Sequence, residues 1–196
     1  MITNSDSYVD FLKRKYSARR AIYLNHLIYP RYLSEFSKGM IYDVGCGFGA
    51  FLEYCRSRDR PAVGLDSNPK LVEICNRKGL QAYQADVLNL HEVFSPADNI
   101  ICDNVIEHLS LIEVDRFFCE IQKIWSPGGV MLIVVPNQRG YGSDPTHKTF
   151  VDDTLIAEIT NKFKLSFCRT YLHPIPWRIL GDHYIFNMSV FRIENS

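Results

Sequence analysis

The hydrophobic and polar positions of this chain follow two periods in turn, one typical of strands and one typical of helices. Short apolar runs predict strands at residues 40–44, 61–66, 81–84, 98–104, 130–135, 165–172 and 184–193. Apolar residues three or four positions apart predict helices at residues 5–36, 49–58, 69–78, 111–126 and 152–161. Up to residue 135 strand and helix therefore alternate, which is typical of an open α/β fold with a parallel sheet and right-handed crossovers.

The end of the chain departs from this alternation. No full-length helix fits between the strands predicted at 165–172 and 184–193, so we expect these two strands to pair antiparallel as a hairpin-like edge of the sheet. Alternation in the last strand predicts one face carrying Tyr184, Phe186, Met188 and Val190.

Two of the predicted helices have an apolar side. In the helix at 111–126 it consists of Ile112, Phe117, Ile121, Ile124 and Trp125. In the helix at 5–36 it consists of Tyr8, Leu12, Tyr16, Tyr23 and Leu27. Pro30 is expected to break this N-terminal helix. We interpret the helix either as a helix packed on the domain edge or as a lid whose Tyr16 and Arg19 face a ligand pocket.

Length, charge and cysteine content narrow the class of protein. At 196 residues the chain is most simply one domain, residues 1–196, with a helical extension at 1–38 and a core at 39–196. The formal net charge is zero, so we expect neither a nucleic-acid partner nor an anionic membrane surface. Cysteines without a Cys-x-x-Cys pair indicate reduced thiols in a cytoplasmic protein. The sequence has no apolar run long enough for a transmembrane segment and no signal-peptide pattern, and it does not indicate the oligomeric state.

A glycine-rich turn joins the first predicted strand to the helix that follows it. The turn reads Asp43-Val44-Gly45-Cys46-Gly47-Phe48-Gly49. Glycines allow positive φ and let a ligand approach the backbone closely. The carboxylate at the turn disfavours a phosphate and favours a ligand that is cationic or rich in hydrogen-bond donors. The spacing also differs from the Gly-x-Gly-x-x-Gly of dinucleotide-binding folds, and a plain strand-to-helix turn is the alternative interpretation.

Carboxylates also follow the next three predicted strands, at Asp66, Asp86 and Asp103. The carboxyl ends of parallel strands share one edge of the sheet, and ligands of such sheets bind there. We therefore expect these side chains to face the same site as the glycine turn. For Asp66 and Asp86 the alternative role is to cap the backbone that follows.

These motifs together resemble the class I S-adenosylmethionine-dependent methyltransferases, in particular their type 11 and type 12 branches, which modify small molecules and sugars. The resemblance extends over nearly the full chain. Residues 43–49 resemble the first family motif, and residues 64–66, 85–87, 103–109 and 126–132 resemble the later ones. The resemblance implies a Rossmann-like, doubly wound, mostly parallel sheet of seven strands in the order 3-2-1-4-5-7-6, with an antiparallel C-terminal strand.

The same resemblance implies S-adenosylmethionine as cofactor and S-adenosylhomocysteine as product. Asp66 is expected to accept hydrogen bonds from the ribose hydroxyls and Asp86 from the adenine amino group, while Asp43 suits the methionine end. The full set of expected cofactor-binding residues is Asp43, Gly45, Cys46, Gly47, Gly49, Asp66, Ser67, Asp86, Val87, Asp103 and Asn104.

Methyl transfer requires alignment of the acceptor with the methyl group and can require removal of a proton. The expected catalytic residues are His108, with Glu107 beside it, and His147 in the long polar loop at 136–150. The alternative role of His108 is to hydrogen-bond the backbone at the start of the next helix. The alternative for His147 is that it is an ordinary surface residue. We expect the acceptor to be a small molecule or a glycan- or lipid-linked intermediate, methylated at oxygen.

Two alternatives remain open at this point. Ubiquinone-pathway O-methyltransferases and small-RNA 3′-end methyltransferases carry Glu-x-x-Glu-His here and bind a divalent metal. The RNA enzymes add a later histidine, for which His147 is the candidate in this chain. Asn104 stands in place of the first carboxylate, which weakens a site for a hard cation, so we expect no metal. A metal-assisted RNA 3′-end methyltransferase is the enzymatic alternative, and a non-catalytic S-adenosylmethionine-binding partner subunit is the other.

Overall fold

The structure, a computed structural model, describes residue 9 and residues 18–90, 96–142, 144–173 and 188–195. Its strands are β1 (Ile41–Val44), β2 (Ala62–Asp66), β3 (Ala82–Gln84), β4 (Ala97–Asp103), β5 (Trp125–Pro136), β6 (Ser166–His173) and β7 (Met188–Glu194). Its helices are α1 (Ala18–Tyr23), α2 (Tyr29–Glu35), α3 (Ala50–Arg56), α4 (Pro69–Arg77), α5 (Leu111–Ile124), α6 (Gln138–Tyr141) and α7 (Asp153–Phe163). A π-helical turn (Leu24–Ile28) joins α1 to α2, and a 3₁₀ turn (Ile106–His108) precedes α5.

The strands form one seven-stranded sheet in the order β3-β2-β1-β4-β5-β7-β6. Strands β1 to β5 pair in parallel, and β7 lies antiparallel between β5 and β6. The predicted fold class is therefore confirmed. The strand order reverses between β1 and β4, and a ligand site is expected beyond the carboxyl ends of these two strands.

The core lies on both faces of the sheet, and β5 shows how one strand serves both. Its residues Met131 and Ile133 pack on the face that α5 covers, in one cluster with Phe117. Leu132, of the opposite parity, packs on the other face with Tyr29 of α2. This alternation of two buried faces explains why the strand is apolar throughout.

The apolar side of α5 matches the prediction except at its start. Phe117, Ile121, Ile124 and Trp125 are buried, whereas Ile112 is 83% exposed. Placing Ile112 on the apolar side was therefore wrong. Five positions separate Ile112 from Phe117, so the two residues point to different sides of the helix. Ser110 begins the helix with a capping box to Glu113, and Trp125 already belongs to β5.

The described part of the N-terminal helix continues through Pro30, contrary to the predicted break. Pro30 stands in the first turn of α2, directly after the π-helical turn. The missing N–H of proline costs little there because the backbone has just changed its hydrogen-bond spacing. The change also rotates the apolar side, so that Leu27 is 52% exposed while Ile28 is buried. Tyr16 lies outside the described residues, and the side chain of Arg19 is not described.

Two further predictions are refined by the structure. The loop predicted at 136–150 contains the short helix α6. In β7, Phe191 and Ile193 enter the core, whereas Tyr184 and Phe186 lie outside the described residues. No helix among the described residues combines the length and the apolar character needed to cross a membrane.

Candidate cofactor and active site

The glycine turn leaves β1 and doubles back against the end of β2. The Gly45 and Cys46 N–H groups donate to the Leu65 carbonyl oxygen at 2.7 and 3.1 Å. Gly45, Gly47 and Gly49 have φ values of 79°, 54° and 74°, which favour glycine. The turn is therefore fixed to β2 at its start and leads directly into α3.

The three glycines differ in what surrounds them. A Cβ at Gly45 would lie 2.4 Å from Cγ2 of Val105, and one at Gly49 would lie 2.7 Å from Cδ1 of Leu80. A Cβ at Gly47 would meet no atom within 4 Å. Gly45 and Gly49 are thus required by packing, whereas Gly47 borders open space beyond the carboxyl end of β1.

Asp66 links the turn to the end of β2. Its two carboxylate oxygens accept hydrogen bonds from the N–H groups of Gly47 and Asn68, each at 2.9 Å. Burial raises the pKa of Asp66, and these two hydrogen bonds act in the opposite direction. The N-cap of α4 is Asn68, whose side chain accepts from the N–H of Lys70, and Asp66 supports the backbone before the helix through its bond to the Asn68 N–H. The sequence analysis had not identified Asn68.

Asp43 and Asp103 lie at the ends of the adjacent strands β1 and β4. Asp43 is 4% exposed. Burial, with the nearby charges of Asp103 and Asp66, raises the pKa of Asp43 well above its usual range. A cationic or donor-rich ligand at this edge would stabilise the ionised carboxylates.

The remaining expected cofactor residues lie around the same edge. Asp86 is exposed, and its side chain accepts from the N–H of Leu88 within a local turn. Val87 is half-buried against the core. Ser67 follows Asp66 and its carbonyl oxygen accepts from the Gln84 side chain. Asn104, at a φ of 58°, is exposed and its side-chain amide donates to Asp103 at 2.6 Å.

Cys46 points away from the open space. Its Sγ lies where a Cβ on Gly64 would approach to 2.7 Å, so it packs under the turn. A hydrogen bond with Cys75, followed by burial, raises the pKa of the Cys46 thiol. Cys75 in turn donates to the Gly47 carbonyl oxygen at 3.3 Å. Only the backbone of Cys46 can therefore contact a cofactor, and Cys75 is a supporting residue that the sequence analysis missed.

The loop before α7 is attached to the 3₁₀ turn that follows β4. The N–H groups of Lys148 and Thr149 donate to the Glu107 carbonyl oxygen at 2.7 and 3.2 Å. The Thr149 hydroxyl donates to the Leu109 carbonyl oxygen at 2.6 Å. These bonds bring residues that are about forty positions apart in the chain to one place.

His108 is oriented by two residues of this loop. Its Nδ1 lies 3.1 Å from the Thr146 hydroxyl oxygen. That hydroxyl donates to the Asp144 carboxylate at 2.7 Å, so it can accept the hydrogen on His108 Nδ1. The series Asp144, Thr146, His108 therefore favours the tautomer whose Nε2 carries the lone pair.

His147 is fixed in a similar way. Its Nδ1 lies 2.8 Å from the Tyr141 carbonyl oxygen, which can only accept, so Nδ1 carries the hydrogen and Nε2 the lone pair. Its ring stacks on that of Tyr141 and lies 5.0 Å, centroid to centroid, from the ring of His108. The two predicted histidines are thus brought together, which spacing along the chain could not establish.

Glu107 completes this group from the buried side. It is 1% exposed, and neither carboxylate oxygen has a hydrogen-bond partner in another described residue. Burial, with the nearby charges of Asp103 and Asp144, raises the pKa of Glu107 to about 8. One ligand atom from each of Glu107, His108 and His147 lies within 4.8 Å of the others.

Comparison with known proteins connects this region of the chain with methyltransferases. A family model described as a methyltransferase domain matches residues 42–133, the part of the chain that contains the glycine turn and strands β2 to β4. Residues 42–133 thus match a methyltransferase domain, and solved structures of similar fold are class I S-adenosylmethionine-dependent methyltransferases. S-adenosylmethionine is the cofactor of this family.

Relatives of this methyltransferase match only part of it. An uncharacterised protein of Methanocaldococcus jannaschii is 29% identical over 126 residues, which are 64% of this chain and 48% of that protein. The tRNA (carboxymethyluridine(34)-5-O)-methyltransferase of Arabidopsis thaliana is 32% identical over 103 residues, which are 50% of this chain and 24% of that protein. The chain therefore spans less than half the length of these relatives.

Solved structures match nearly the whole fold. A methyltransferase of Archaeoglobus fulgidus has a TM-score of 0.71 at 16% identity and covers 97% of this chain and 100% of its own. The magnesium protoporphyrin IX methyltransferase of Synechocystis, with bound S-adenosylhomocysteine, has a TM-score of 0.70 at 14% identity and covers 99% and 96%. At these identities the likeness concerns the fold.

The role expected for Asp66 in this methyltransferase can be tested by binding. We expect Asp66→Asn to weaken the binding of S-adenosylhomocysteine about tenfold to a hundredfold, since a hydrogen bond to a charged group contributes about 1.5–3 kcal/mol. Isothermal titration measures this. Asp59→Asn is the control, because Asp59 is exposed and its φ of 52° is tolerated by asparagine. Equal affinity in both variants would contradict the assignment.

Proposed function

We propose that this chain transfers the methyl group of S-adenosylmethionine to an oxygen atom of a small-molecule or glycan- or lipid-linked acceptor. The observation that carries the proposal is the common edge of β1, β2 and β4. There the Asp66 carboxylate accepts from the N–H of Gly47, which borders open space, Asp43 lies at the end of β1, and His108 and His147 meet after β4.

The binding half of this edge matches the chemistry of the cofactor. We assign the hydroxyls of its ribose to Asp66, whose ionised form is already supported by two backbone N–H groups. We assign the end with the sulfonium and the amino group to the buried carboxyl of Asp43 and the half-buried carboxyl of Asp103, because positive charge there offsets the cost of burying Asp43. The adenine amino group is assigned to Asp86, whose exposed side chain keeps acceptor capacity after its bond to Leu88.

The catalytic half supplies proton acceptors. When bound, S-adenosylmethionine supplies a methyl group on a positively charged sulfur. A hydroxyl acceptor must lose its proton as it attacks, and Nε2 of His147 carries a lone pair for that proton. Thr146 and Tyr141 keep both rings in one orientation and so reduce the entropy that alignment would cost.

The names of related proteins support the reaction and bear on the acceptor. The Synechocystis enzyme acts on magnesium protoporphyrin IX, and the Arabidopsis relative methylates an oxygen-bearing group of a tRNA nucleotide. The zero net charge of this chain supports a small-molecule acceptor over a polyanion. The described cysteines form no disulfide, which supports the cytoplasm as its location.

The experiment offers the acceptor classes side by side. We expect S-adenosylmethionine with a radiolabelled methyl group to label the small-molecule or the glycan- and lipid-linked fraction of a cell extract. The labelled methyl group in the product should be bound to oxygen, as a methyl ether or methyl ester. If only RNA is labelled, the acceptor is RNA and the proposed acceptor class is wrong. Binding of S-adenosylhomocysteine without labelling of any fraction would favour the non-catalytic partner subunit. A Gly47→Val protein is the control for transfer that does not depend on the proposed cofactor site.

A further inference from the structure

Three potential metal ligands of different kinds meet at the end of β4. They are the carboxylate of Glu107 and the imidazoles of His108 and His147, with one ligand atom of each within 4.8 Å of the others. Two come from the 3₁₀ turn Ile106–His108 and one from the loop that is attached to it. Bonds of about 2.0–2.2 Å to one ion require donor atoms roughly 3–3.5 Å apart, so the side chains need to move by about one ångström.

The histidines have the orientation that a metal ligand requires. A ligating imidazole coordinates through one nitrogen and donates the hydrogen of the other to a carbonyl, hydroxyl or carboxylate. His147 Nδ1 is held by the Tyr141 carbonyl oxygen at 2.8 Å. His108 Nδ1 faces the Thr146 hydroxyl at 3.1 Å, and Asp144 accepts from that hydroxyl. In both imidazoles Nδ1 is therefore the nitrogen that carries the hydrogen, and Nε2 is the nitrogen that can coordinate the ion.

Glu107 provides the independent observation. Its side chain is 1% exposed, both of its oxygens are buried, and neither has a hydrogen-bond partner in another described residue. A buried carboxyl group without a partner is costly unless something pairs with it. A cation bound between Glu107 and the two oriented imidazoles would be such a partner.

We propose that Glu107, His108 and His147 bind one divalent transition-metal ion, of which zinc is the probe of choice. Two imidazoles and one carboxylate suit zinc, manganese, cobalt or iron(II), whereas magnesium and calcium prefer oxygen ligands throughout. Asn104 takes no part, because it is exposed and its amide donates to Asp103. This proposal departs from the sequence analysis, which predicted no metal because Asn104 replaces a carboxylate ligand.

Such an ion would bind and activate the acceptor. A divalent metal with an open position lowers the pKa of a bound hydroxyl, and it would select acceptors with two adjacent oxygen donors. With the ion bound, the Nε2 lone pair of His147 is used for coordination, so the lowered pKa of the bound hydroxyl takes the place of His147 as proton acceptor. This role rests on the proposed methyl transfer, whereas binding of the ion does not.

Zinc binding to protein stripped with a chelator tests the proposal. We expect one equivalent of zinc per chain by titration against a chromogenic chelator. Glu107→Gln and His147→Ala should each weaken zinc binding at least about tenfold. The controls are His26→Ala, at an exposed histidine, and Glu120→Gln, at a buried carboxyl group that pairs with Lys123. Both controls should bind zinc as the unaltered chain does.

Titration of every variant with S-adenosylhomocysteine separates this proposal from the proposed function. Unchanged affinity for S-adenosylhomocysteine together with lost zinc binding supports the metal site. Zinc binding that is absent from the unaltered chain, or equal in Glu107→Gln, His147→Ala and the controls, would overturn it. If the unaltered chain does not bind S-adenosylhomocysteine, the proposed function is overturned, and the zinc titration still decides the metal site.

Discussion

Gly47→Val is expected to abolish measurable binding of S-adenosylhomocysteine, an effect of more than about a hundredfold. A side chain at residue 47 meets no protein atom within 4 Å and would project into the space that we assign to the cofactor. Isothermal titration measures the loss. The backbone at φ 54° is also strained for valine, by about 1–2 kcal/mol, so stability has to be measured beside affinity.

Gly128→Val is the matched control for this substitution. Gly128 has a φ of 74°, and a Cβ there also meets nothing within 4 Å. It lies in the first part of β5, before the residues that pair with β4 from Asn99 onward. Both valine variants should lose similar stability, but only Gly47→Val should lose binding. If Gly47→Val binds S-adenosylhomocysteine within about threefold of the unaltered chain, less than 0.7 kcal/mol, the open space is not the cofactor site.

Substitution of the paired histidines is expected to have the second large effect. We expect His147→Ala and His108→Ala each to lower turnover by about a hundredfold or more, the usual contribution of a positioned proton acceptor. If the same rings coordinate a metal that activates the acceptor, their substitution is also expected to lower turnover. Affinity for S-adenosylhomocysteine should stay unchanged, because both rings lie beyond β4 and are held by Tyr141, Thr146 and Asp144.

His26→Ala is the control for the histidine variants, since His26 is exposed on the π-helical turn. Turnover with the acceptor fraction that becomes labelled is the measurement, with S-adenosylhomocysteine titration as a check of the fold. Full activity in both His108→Ala and His147→Ala would remove these residues from the catalytic machinery. Loss in only one of them would assign the role to that ring.

The errors of the sequence analysis have local physical causes. Ile112 was placed on the apolar side of α5, but as the second residue of the helix it lies five positions before Phe117, on a different side, and is 83% exposed. Pro30 was expected to end a helix, but a π-helical turn before it accommodates the missing N–H. Patterns of apolar residues assume one constant helical period, and both cases involve a helix terminus or a change of period.

The supporting roles of five residues of the site were not predicted, for a different reason. Asn68, Cys75, Thr146, Asp144 and Tyr141 orient the site through contacts with residues distant in the chain or through their backbone atoms. Their residue types carry no signal by themselves. Asn68 alone had a recognisable pattern, since asparagine directly before a helix-initiating proline is a strong cap.

The sequence by itself determined the order of strands and helices, the glycine turn and the carboxylates after β1, β2, β3 and β4, because each depends on local periodicity or local backbone conformation. The resemblance to a known family added the strand order, which local patterns do not contain. Only the tertiary structure decided that Gly47 borders open space while Gly45 is packed against Val105. It also decided that His147 meets His108 and the buried Glu107, because a loop some forty residues later is hydrogen-bonded to the end of β4. A pattern along the chain records what each residue is, whereas a site depends on which residues the fold brings together.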